Sequence, residues 1–357
     1  MAVSCRQRSG VSVVIPSIRV GFLLRCLVAT LQEELVAVTA PSEIIIVVDA
    51  SALNTAASVC AVLDGVNGTR AARVRVNYTG RQMGPAAARN LGVAEARYDH
   101  ILFLDDDVML SDGFGAAICR LFPLRVEEAY VCRVEHYAPQ TQNLRALRYR
   151  VTWLGLPDRL ANYSDGALLP WRLMQSCALL IRKAEIHALG GFSSDYQGPH
   201  YEDLDLSARY HDLGGRAYLA SAARVGHSGY RVSRAYLKWC VWNGYWKARF
   251  CARHPGRAQE VMQVRRGIEY SADLRTTVSG MERMAEDILK LRELEMRDHR
   301  PLQEQSRFDN LLLSIGSRCE RRGFDVAAEG TSEVGVIHKQ IETMYAVPLR
   351  EMIRDGY

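Results

Sequence analysis

The chain has 357 residues, 48% of them hydrophobic, and can bury a large core, which argues against a disordered protein. Its 45 basic and 40 acidic side chains leave a net charge of +5, which suits an anionic small molecule or a lipid headgroup surface and is too weak to indicate nucleic acid. Nine scattered cysteines include no Cys-x-x-Cys pair, which argues against a disulfide framework or a zinc ribbon and favours reduced thiols in a cytoplasm.

The first hundred residues alternate between apolar, β-branched runs and segments whose apolar residues have helical spacing. The alternation predicts strands at 11–15, 43–48, 73–77 and 101–104 and helices at 21–35, 56–63 and 84–96. Nearly continuous apolar strands are typical of a parallel sheet covered on both faces, and such sheets bind ligands at the carboxyl ends of their strands. Asp49 and the cluster Asp105–Asp107 lie at such ends.

The later part of the chain has a different pattern. Residues 111–230 are mixed and include an apolar strand at 175–181 that runs into a short helix stopped by Gly190 and Gly191. Beyond Tyr230 the pattern is helical to the end of the chain.

Three consecutive acidic residues, Asp105, Asp106 and Asp107, end the fourth predicted strand. Adjacent like charges repel, but they become tolerable when a divalent cation lies among them. As alternate residues of an extended segment, Asp105 and Asp107 project to one side and Asp106 to the other, so the pair predicts a shared hard cation that also binds a diphosphate. The alternative is that the three aspartates cap the strand and the turn that follows.

Short motifs follow one another in a recognisable order along the first 230 residues. They are VSVVIPS from Val11, Val-Val-Asp at 47–49, GPAAARNLG at 84–92, LDDD at 104–107, Gly-Gly-Phe at 190–192 and EDLDLSAR at 202–209. In this order they resemble the family 2 glycosyltransferases, inverting nucleotide-sugar enzymes of the GT-A fold. The resemblance implies an α/β protein with a GT-A, Rossmann-like mixed sheet and a helical C-terminal appendage.

The resemblance also implies a division of the chain. Residues 1–230 would form the catalytic domain, with a nucleotide-sugar half at about 1–110 and an acceptor half at about 111–230. Residues 231–357 would form a helical C-terminal region.

The donor side of the site follows from the same resemblance. Asp49 would bind the nucleobase or ribose, and Arg89 would lie near the base and phosphates. Asp107 would ligate Mg²⁺ or Mn²⁺ together with Asp105, and His227 would supply a further ligand to the same ion. The full set implied for the nucleotide sugar is Pro16, Ser17, Asp49, Arg89, Asp105 and Asp106. The chain departs from the family pattern at 17–19 and at Ala50, which bears on recognition of the base; UDP is the nucleotide that the resemblance implies.

An inverting transfer to a sugar hydroxyl requires a carboxylate within hydrogen-bond reach of the acceptor oxygen. We predict that Asp203 is this base, that Glu202 orients the acceptor, and that Asp205 caps the helix beginning there. The alternative interpretation of this stretch is an amphipathic helix with an acidic first turn. Trp171, beside Pro170, is the predicted aromatic platform for an acceptor sugar, with core packing as the alternative.

Aromatic residues recur every three or four positions between Tyr236 and Phe250. The stripe fits a membrane-interface anchor or, as we prefer, a helix that docks on its own domain. The amphipathic stretch after it at 272–294 suggests closure over the acceptor or a homodimer through the C-terminal helices. Without a signal peptide or an apolar run of about 18 residues, we expect a cytoplasmic protein.

These patterns together predict a hexosyltransferase that moves a sugar, with UDP-glucose as an example of the donor, to a small soluble, sugar-like or natural-product acceptor such as one of antibiotic biosynthesis. Two other functions stay open: a glycosyltransferase of surface polysaccharide or lipid-linked oligosaccharide assembly, and a non-catalytic scaffold that binds sugar nucleotides. An aspartate-nucleophile phosphatase is disfavoured by Met109, and a nucleotidylyltransferase by the lack of glycine in 16–20.

Overall fold

The computed structural model describes residues 10–18, 20–36, 41–50, 52–63, 72–136, 148–150, 156–198, 200–227 and 230–262, and the separate residues 287, 315, 319–321, 325 and 339. The chain divides into two compact units. One comprises residues 1–139 and 155–229, and the other comprises residues 140–154 and 230–357.

The described strands, in chain order, are β1 (Val11–Ser17), β2 (Ser42–Val48), β3 (Arg73–Tyr78), β4 (His100–Leu104), β5 (Val108–Leu110), β6 (Glu128–His136), β7 (Arg148–Arg150), β8 (Leu168–Leu169), β9 (Ala178–Arg182), β10 (Arg216–His227) and β11 (Tyr230–Val232). The described helices are α1 (Phe22–Val36), α2 (Ala52–Leu63), α3 (Pro85–Glu95), α4 (Phe114–Cys119), α5 (Leu156–Leu160), α6 (Lys183–Ala188), α7 (Glu202–Asp212), α8 (Ser233–Arg253) and α9 (Ala258–Met262), with single 3-10 turns at Trp171–Leu173 and Pro255–Arg257.

The first unit is built on one mixed sheet. Among the described residues its strands lie in the order β3-β2-β1-β4-β9-β6-β10-β5, and β8 pairs with β10 beside this path. Strands β3, β2, β1 and β4 are parallel, whereas β9 runs antiparallel between β4 and β6. The expected α/β class with a GT-A mixed sheet is therefore confirmed, and the elements predicted for the first hundred residues are present with ends that differ by a few residues.

Strands β1 and β4, whose carboxyl ends carry Ser17 and the three aspartates, are fully buried inside this sheet. Every residue of both strands is buried, and because successive side chains point to opposite faces, both faces must be covered. Helix α3 packs on β1 and β2. A Cβ on Gly92 would stand 2.3 Å from a methyl carbon of Val14, so the close approach of α3 to β1 requires glycine there.

The second unit begins with a strand where the sequence predicts a helix. Residues Tyr230–Val232 form β11, which pairs antiparallel with β7. Three residues are too few to show the alternation of a strand. The sequence therefore showed only the helical spacing of the residues that follow in α8. The aromatic stripe of α8 is a packing face, because four of the six aromatic side chains between Tyr236 and Phe250 are buried, namely Tyr236, Trp239, Trp246 and Phe250, and the other two are half-buried. Lys247 and Glu320 form a buried ion pair in the same unit.

Apart from residue 287, the predicted amphipathic stretch at 272–294, on which a homodimer was predicted, lies outside the described residues, and so does most of the C-terminal region that follows it. Within the described part of the chain, no helix has both the length and the apolar character that crossing a bilayer requires.

Candidate active site

The three consecutive aspartates occupy a turn between β4 and β5. The prediction that they continue an extended segment is therefore wrong, because Asp106 and Asp107 lie in a turn that brings the chain back as β5. The backbone N–H of Asp105 donates to the carbonyl of Cys177, 3.1 Å away. Asp106 Oδ2 accepts a hydrogen bond from Ser17 Oγ at 2.6 Å. Asp106 is thus tied to the end of β1, while its two neighbours take part in another group.

That group consists of Asp105, Asp107 and His227, each of which offers one ligand atom within 4.8 Å of the others. His227 is the last residue of β10 and pairs with Val108 at the start of β5, so the β5–β10 pairing brings the imidazole to the aspartates. Its Nε2 lies 3.4 Å from Asp107 Oδ1 and 3.8 Å from Asp105 Oδ2. Two carboxylates and an imidazole suit a divalent cation such as Mn²⁺, and carboxylate oxygens also suit Mg²⁺.

Arg89 connects this group to the start of α7. From α3, its guanidinium donates to Asp105 Oδ1 at 2.8 Å and to Glu202 Oε1 at 2.9 Å, and it lies 5.5 Å from the centre of the Phe192 ring. Burial alone would lower the pKa of Arg89, but the carboxylates of Asp105, Glu202 and Asp203 outweigh it and raise the pKa above its ordinary value. The arginine therefore remains a permanent positive charge between two sets of carboxylates.

The charge of Asp105 is kept by the same neighbours. Burial alone would raise the pKa of its carboxyl, but His227 and Arg89 beside it outweigh burial and lower the pKa. A carboxylate that is ionised at neutral pH is the form that accepts a cation.

Glu202 and Asp203 occupy the first turn of α7 and differ from Asp105 in their ionisation. Burial, followed by the charge of Asp203, raises the pKa of Glu202 from 4.5 to about 7. Burial also raises the pKa of Asp203, although the charge of Arg89 opposes the shift. Glu202 Oε2 is buried and has no hydrogen-bond partner among the residues that the structure describes, whereas Asp203 Oδ1 accepts from the backbone N–H of Leu204 at 2.8 Å. Raised pKa values of this kind are typical of groups that exchange protons.

The cap predicted at Asp205 is wrong. The residue preceding α7 is Tyr201, which has a φ of 66° and makes no side-chain cap. Asp205 is fully buried inside the helix and accepts a hydrogen bond from Arg209 Nε at 2.8 Å. Arg209 also donates to the carbonyls of Leu189 and Gly191, so the acidic and basic residues of EDLDLSAR hold the preceding glycine turn.

The buried thiol of Cys177 is affected by both sets of carboxylates. Burial, then the charges of Asp105, Asp203 and Asp107, raise the pKa of Cys177 well above its ordinary value. The contacts of Arg89 to Asp105 and to Glu202 give the geometry, and they place the start of α7 beside the turn that holds the aspartates.

The nucleotide-side residues lie at the ends of neighbouring strands. Asp49 follows β2, and its carboxylate accepts hydrogen bonds from Thr79 Oγ1 at 2.9 Å, Met83 N at 2.7 Å and Gly84 N at 2.8 Å. It thereby orders the β3–α3 loop, while its role with a nucleobase stays a prediction. Pro16 and Ser17 form the end of β1, and the carbonyl of Ser17 accepts from the N–H of Asp49.

The predicted acceptor platform, Trp171, is buried with 6% of its surface exposed. Its carbonyl accepts a hydrogen bond from Ser207 Oγ of α7. Its role toward an acceptor stays a prediction, and the burial supports the core-packing alternative.

Gln175 and Ser176, which the sequence predicts as the start of a strand, precede β9 instead, and both are buried. Within the described part of the chain, Gln175 Oε1 and Ser176 Oγ have no hydrogen-bond partner. A polar pair directly before the apolar run from Ala178 was the available signal.

Asn90 explains why two distant motifs occur together. Its side-chain amide donates to the carbonyl of Phe192 at 2.8 Å and accepts from the N–H of Phe192 at 2.8 Å. The GPAAARNLG helix and the Gly-Gly-Phe turn are therefore held together by hydrogen bonds. Arg89 lies next to Asn90 in this helix, and Glu202 follows the turn at the start of α7.

Residues 30–216 match the family described as "Glycosyltransferase like family 2". The pre-mycofactocin glycosyltransferase of Mycobacterium tuberculosis is 27% identical over 190 residues, which cover 52% of this chain and 38% of that protein. The chain thus spans well under two thirds of the curated relative it matches.

Three solved structures are similar at low identity. GalNAc-T7 with UDP, GalNAc and Mn²⁺ has a TM-score of 0.46 and 18% identity, covering 72% of this chain and 54% of that one. S. aureus TarS 1-349 has a TM-score of 0.46 and 12% identity, covering 90% and 92%. The mannosyltransferase PcManGT of Pyrobaculum calidifontis, with GDP-Man and Mn²⁺, has a TM-score of 0.46 and 14% identity, covering 97% and 83%.

Proposed function

Because the chain belongs to the family "Glycosyltransferase like family 2", we propose that it is an inverting hexosyltransferase, using a nucleoside-diphosphate sugar and an acceptor hydroxyl. The observation that carries the proposal is the double contact of Arg89, which holds Asp105 and Glu202 on its two sides. In this proposal Asp105 is the cation-binding carboxylate, and Glu202 with Asp203 is the proton-exchanging pair on the other side of Arg89. Such a pairing is what an inverting transfer requires.

The donor would bind at the ends of β1, β2 and β4. We assign the nucleoside to the loop ordered by Asp49 and to the Ser17–Asp106 contact, and we propose UDP as the nucleotide and UDP-glucose as an example of the donor. Asp105, Asp107 and His227 would hold Mg²⁺ or Mn²⁺, which when bound supplies Lewis-acid stabilisation of the departing diphosphate.

Asp203 would take the proton from the acceptor hydroxyl. Its raised pKa makes the carboxylate a stronger base than an exposed aspartate, and Leu204 N–H holds one of its oxygens. Arg89 fixes one oxygen of Glu202, and the second oxygen is buried with no partner in the described part of the chain. This second oxygen is suited to orient the acceptor by a further hydrogen bond. The acceptor proposed is a small, hydroxyl-bearing, sugar-like molecule.

The proposal is tested by incubating the protein with a panel of nucleotide sugars and Mn²⁺ and measuring slow hydrolysis of the donor, because this assay needs no acceptor. Hydrolysis of one donor, abolished by EDTA, is the expected result. Binding of UDP without turnover of any donor or acceptor would instead identify a non-catalytic scaffold.

The roles of the acidic residues are separated by two variants. Asp203→Asn should lower turnover at least about a hundredfold, the usual contribution of a general base, and leave the Kd for UDP with Mn²⁺ nearly unchanged. Asp107→Ala should weaken both. Equal loss of UDP binding in the two variants would contradict these roles.

A further inference from the structure

Tyr201, the residue before Glu202 and Asp203, has an unusual backbone conformation. Its φ of 66° and ψ of −5° lie in the left-handed region, and among the described residues other than glycine only Glu127 shares a positive φ. A bulky residue keeps this conformation only where its surroundings hold it, and such strain is concentrated at functional sites. Tyr201 is 4% exposed, so tight packing is available to maintain the strain.

Tyr201 is also the N-cap residue of α7. Its carbonyl accepts the first helical hydrogen bond, from the N–H of Asp205 at 2.9 Å. The usual N-cap residue is a serine, threonine, asparagine or aspartate in an extended conformation, and its side-chain oxygen accepts from a backbone N–H two or three residues further on. Tyr201 has neither this conformation nor a capping side-chain bond. The N–H groups of the first turn are therefore left to other acceptors.

One of these N–H groups is bound by the proposed base. Leu204 is the third residue after the N-cap, the position that a capping side chain can bind, and its N–H donates to Asp203 Oδ1 at 2.8 Å. This bond fixes one oxygen of the Asp203 carboxylate at the start of α7. A capping side chain at position 201 would compete for the same N–H and release the carboxylate.

Glu202, between Tyr201 and Asp203, is held by different bonds. Its Oε1 accepts from the guanidinium of Arg89 at 2.9 Å, and the same guanidinium donates to Asp105. These bonds do not use the N–H of Leu204. Release of the Asp203 carboxylate should therefore leave Glu202 and the cation-binding carboxylate in place.

We propose that Tyr201 is a positioning residue: its left-handed backbone, which makes no side-chain cap, leaves the N–H of Leu204 to hold the carboxylate of Asp203. Tyr201 thus acts through Asp203. The role of Asp203 as the base rests on the proposed function, whereas its hydrogen bond with Leu204 does not.

The test compares Y201G with Y201S, which both lack the aromatic ring, so that most of the lost packing is common to the two. Glycine adopts the left-handed conformation without strain and brings no oxygen, whereas serine favours the extended conformation and caps the helix. With the donor found in the hydrolysis panel, Y201S should turn over at least about tenfold more slowly than Y201G, the effect of one hydrogen bond to a charged group. The Kd for UDP with Mn²⁺ should be equal in the two variants.

The matched control is the pair E127G and E127S, at the other described left-handed residue that is not glycine. Glu127 is exposed and precedes β6, where its carbonyl accepts from the N–H of Arg216 at 2.8 Å. These two variants should turn over at the same rate. Three results would overturn the proposal: equal turnover in Y201G and Y201S, the same difference in the control pair, or slower turnover of Y201S matched by weaker UDP binding.

Hydrogen exchange decides the proposal if Y201G or Y201S fails to fold. In metal-free protein labelled with ¹⁵N-leucine, the N–H of Leu204 should exchange with deuterium at least about tenfold more slowly in the wild type than in Asp203→Ala, which lacks the carboxylate that holds it. In Y201S, where the serine oxygen takes this N–H, Asp203→Ala should leave the rate unchanged. Equal rates in the wild type and Asp203→Ala would overturn the proposal.

The two proposals fail separately. Absence of turnover of every donor in the wild type would refute the glycosyltransferase function and leave the exchange measurement valid. Turnover in the wild type, with equal rates in Y201G and Y201S, would refute only the role of Tyr201.

Discussion

The guanidinium of Arg89 lies 2.9 Å from the carboxylate of Glu202, although the two residues are 113 positions apart in the chain. The same guanidinium contacts Asp105, and the three side chains are largely buried. Removal of a buried cation leaves carboxylates without a counter-charge, which costs more than the loss of the contacts themselves.

Arg89→Met should therefore destabilise the protein strongly. We expect a loss of about 3–5 kcal/mol in the free energy of unfolding, the range seen when one partner of a buried ion pair is removed. Urea denaturation at neutral pH measures it. Arg125→Met, which replaces an exposed arginine by the same side chain, should change stability by less than about 0.5 kcal/mol. Similar values for both variants would show that the Arg89 bridge contributes little.

Glu202 should make stability fall as the pH rises. Its folded-state pKa of about 7 exceeds the ordinary value of 4.5, so between these values the folded chain keeps a proton that the unfolded chain has released. The contribution of this group is thus present below about pH 4.5 and is lost as the pH rises through about 7. At about 1.4 kcal/mol per pH unit, the loss approaches roughly 3 kcal/mol.

Glu202→Gln removes this titration. The fall in stability between about pH 5 and about pH 8, measured from urea midpoints in EDTA, should be smaller in Glu202→Gln than in the wild type. Glu33→Gln, at an exposed position of α1, serves as the control and should show the wild-type pH profile. Identical profiles for Glu202→Gln and the wild type would count against the raised pKa.

His100 should have the opposite dependence. Burial lowers the pKa of its ring, whose Nδ1 lies 3.0 Å from the carbonyl of Gly10 and whose Nε2 accepts from Leu124 N–H at 3.4 Å. The unfolded chain then binds a proton more readily, so stability falls as the pH drops below about 6.5. His100→Gln, which keeps a neutral donor and acceptor, should lack this acid loss, whereas the exposed His211→Gln should retain it. Thermal unfolding at about pH 5 and about pH 7.5 distinguishes the two outcomes.

Gly84→Ala should disturb the loop that Asp49 orders. Gly84 has a φ of 91°, and an added Cβ would stand 2.4 Å from the carbonyl oxygen of Gln197. We expect a loss of more than about 2 kcal/mol together with weaker UDP binding, since backbone strain and a steric clash add. Gly80→Ala has a comparable φ of 81° but open space around it, so it should show the strain of about 1 kcal/mol alone. Equal losses of stability in the two variants would mean that the backbone at Gln197 moves away from the added Cβ at no cost in free energy.

The local sequence pattern was sufficient to predict most helices and strands in the first hundred residues of the chain. The strands β1, β2 and β4 are apolar runs whose burial on both faces is the physical reason for the run itself, and Pro85 begins α3 where the pattern placed a helix. The strand β11 was missed because its three residues carry no measurable period, and its partner β7 is equally short.

The cap of α4 illustrates a contact that no local pattern contains. Gly113 precedes this helix without a side-chain cap, and the backbone N–H groups of Gly113 and Gly115 donate instead to the carboxylate of Glu34 at 3.0 and 2.8 Å. Glu34 comes from α1, 79 positions before Gly113. Capping by a distant carboxylate depends on the packing of α1 against α4.

The amino-acid sequence by itself determined which residue types lie at the carboxyl ends of the strands. A buried strand is recognisable as a continuous apolar run, and the motifs follow these runs directly in the chain. Only the tertiary structure decided that Arg89 joins Asp105 to Glu202, and that Asp205 pairs with Arg209 instead of capping α7. The physical reason is that β9 enters antiparallel between β4 and β6, and β10 returns beside β5. Such pairings are set by which surfaces pack together in the whole chain, and neighbouring residues do not encode them.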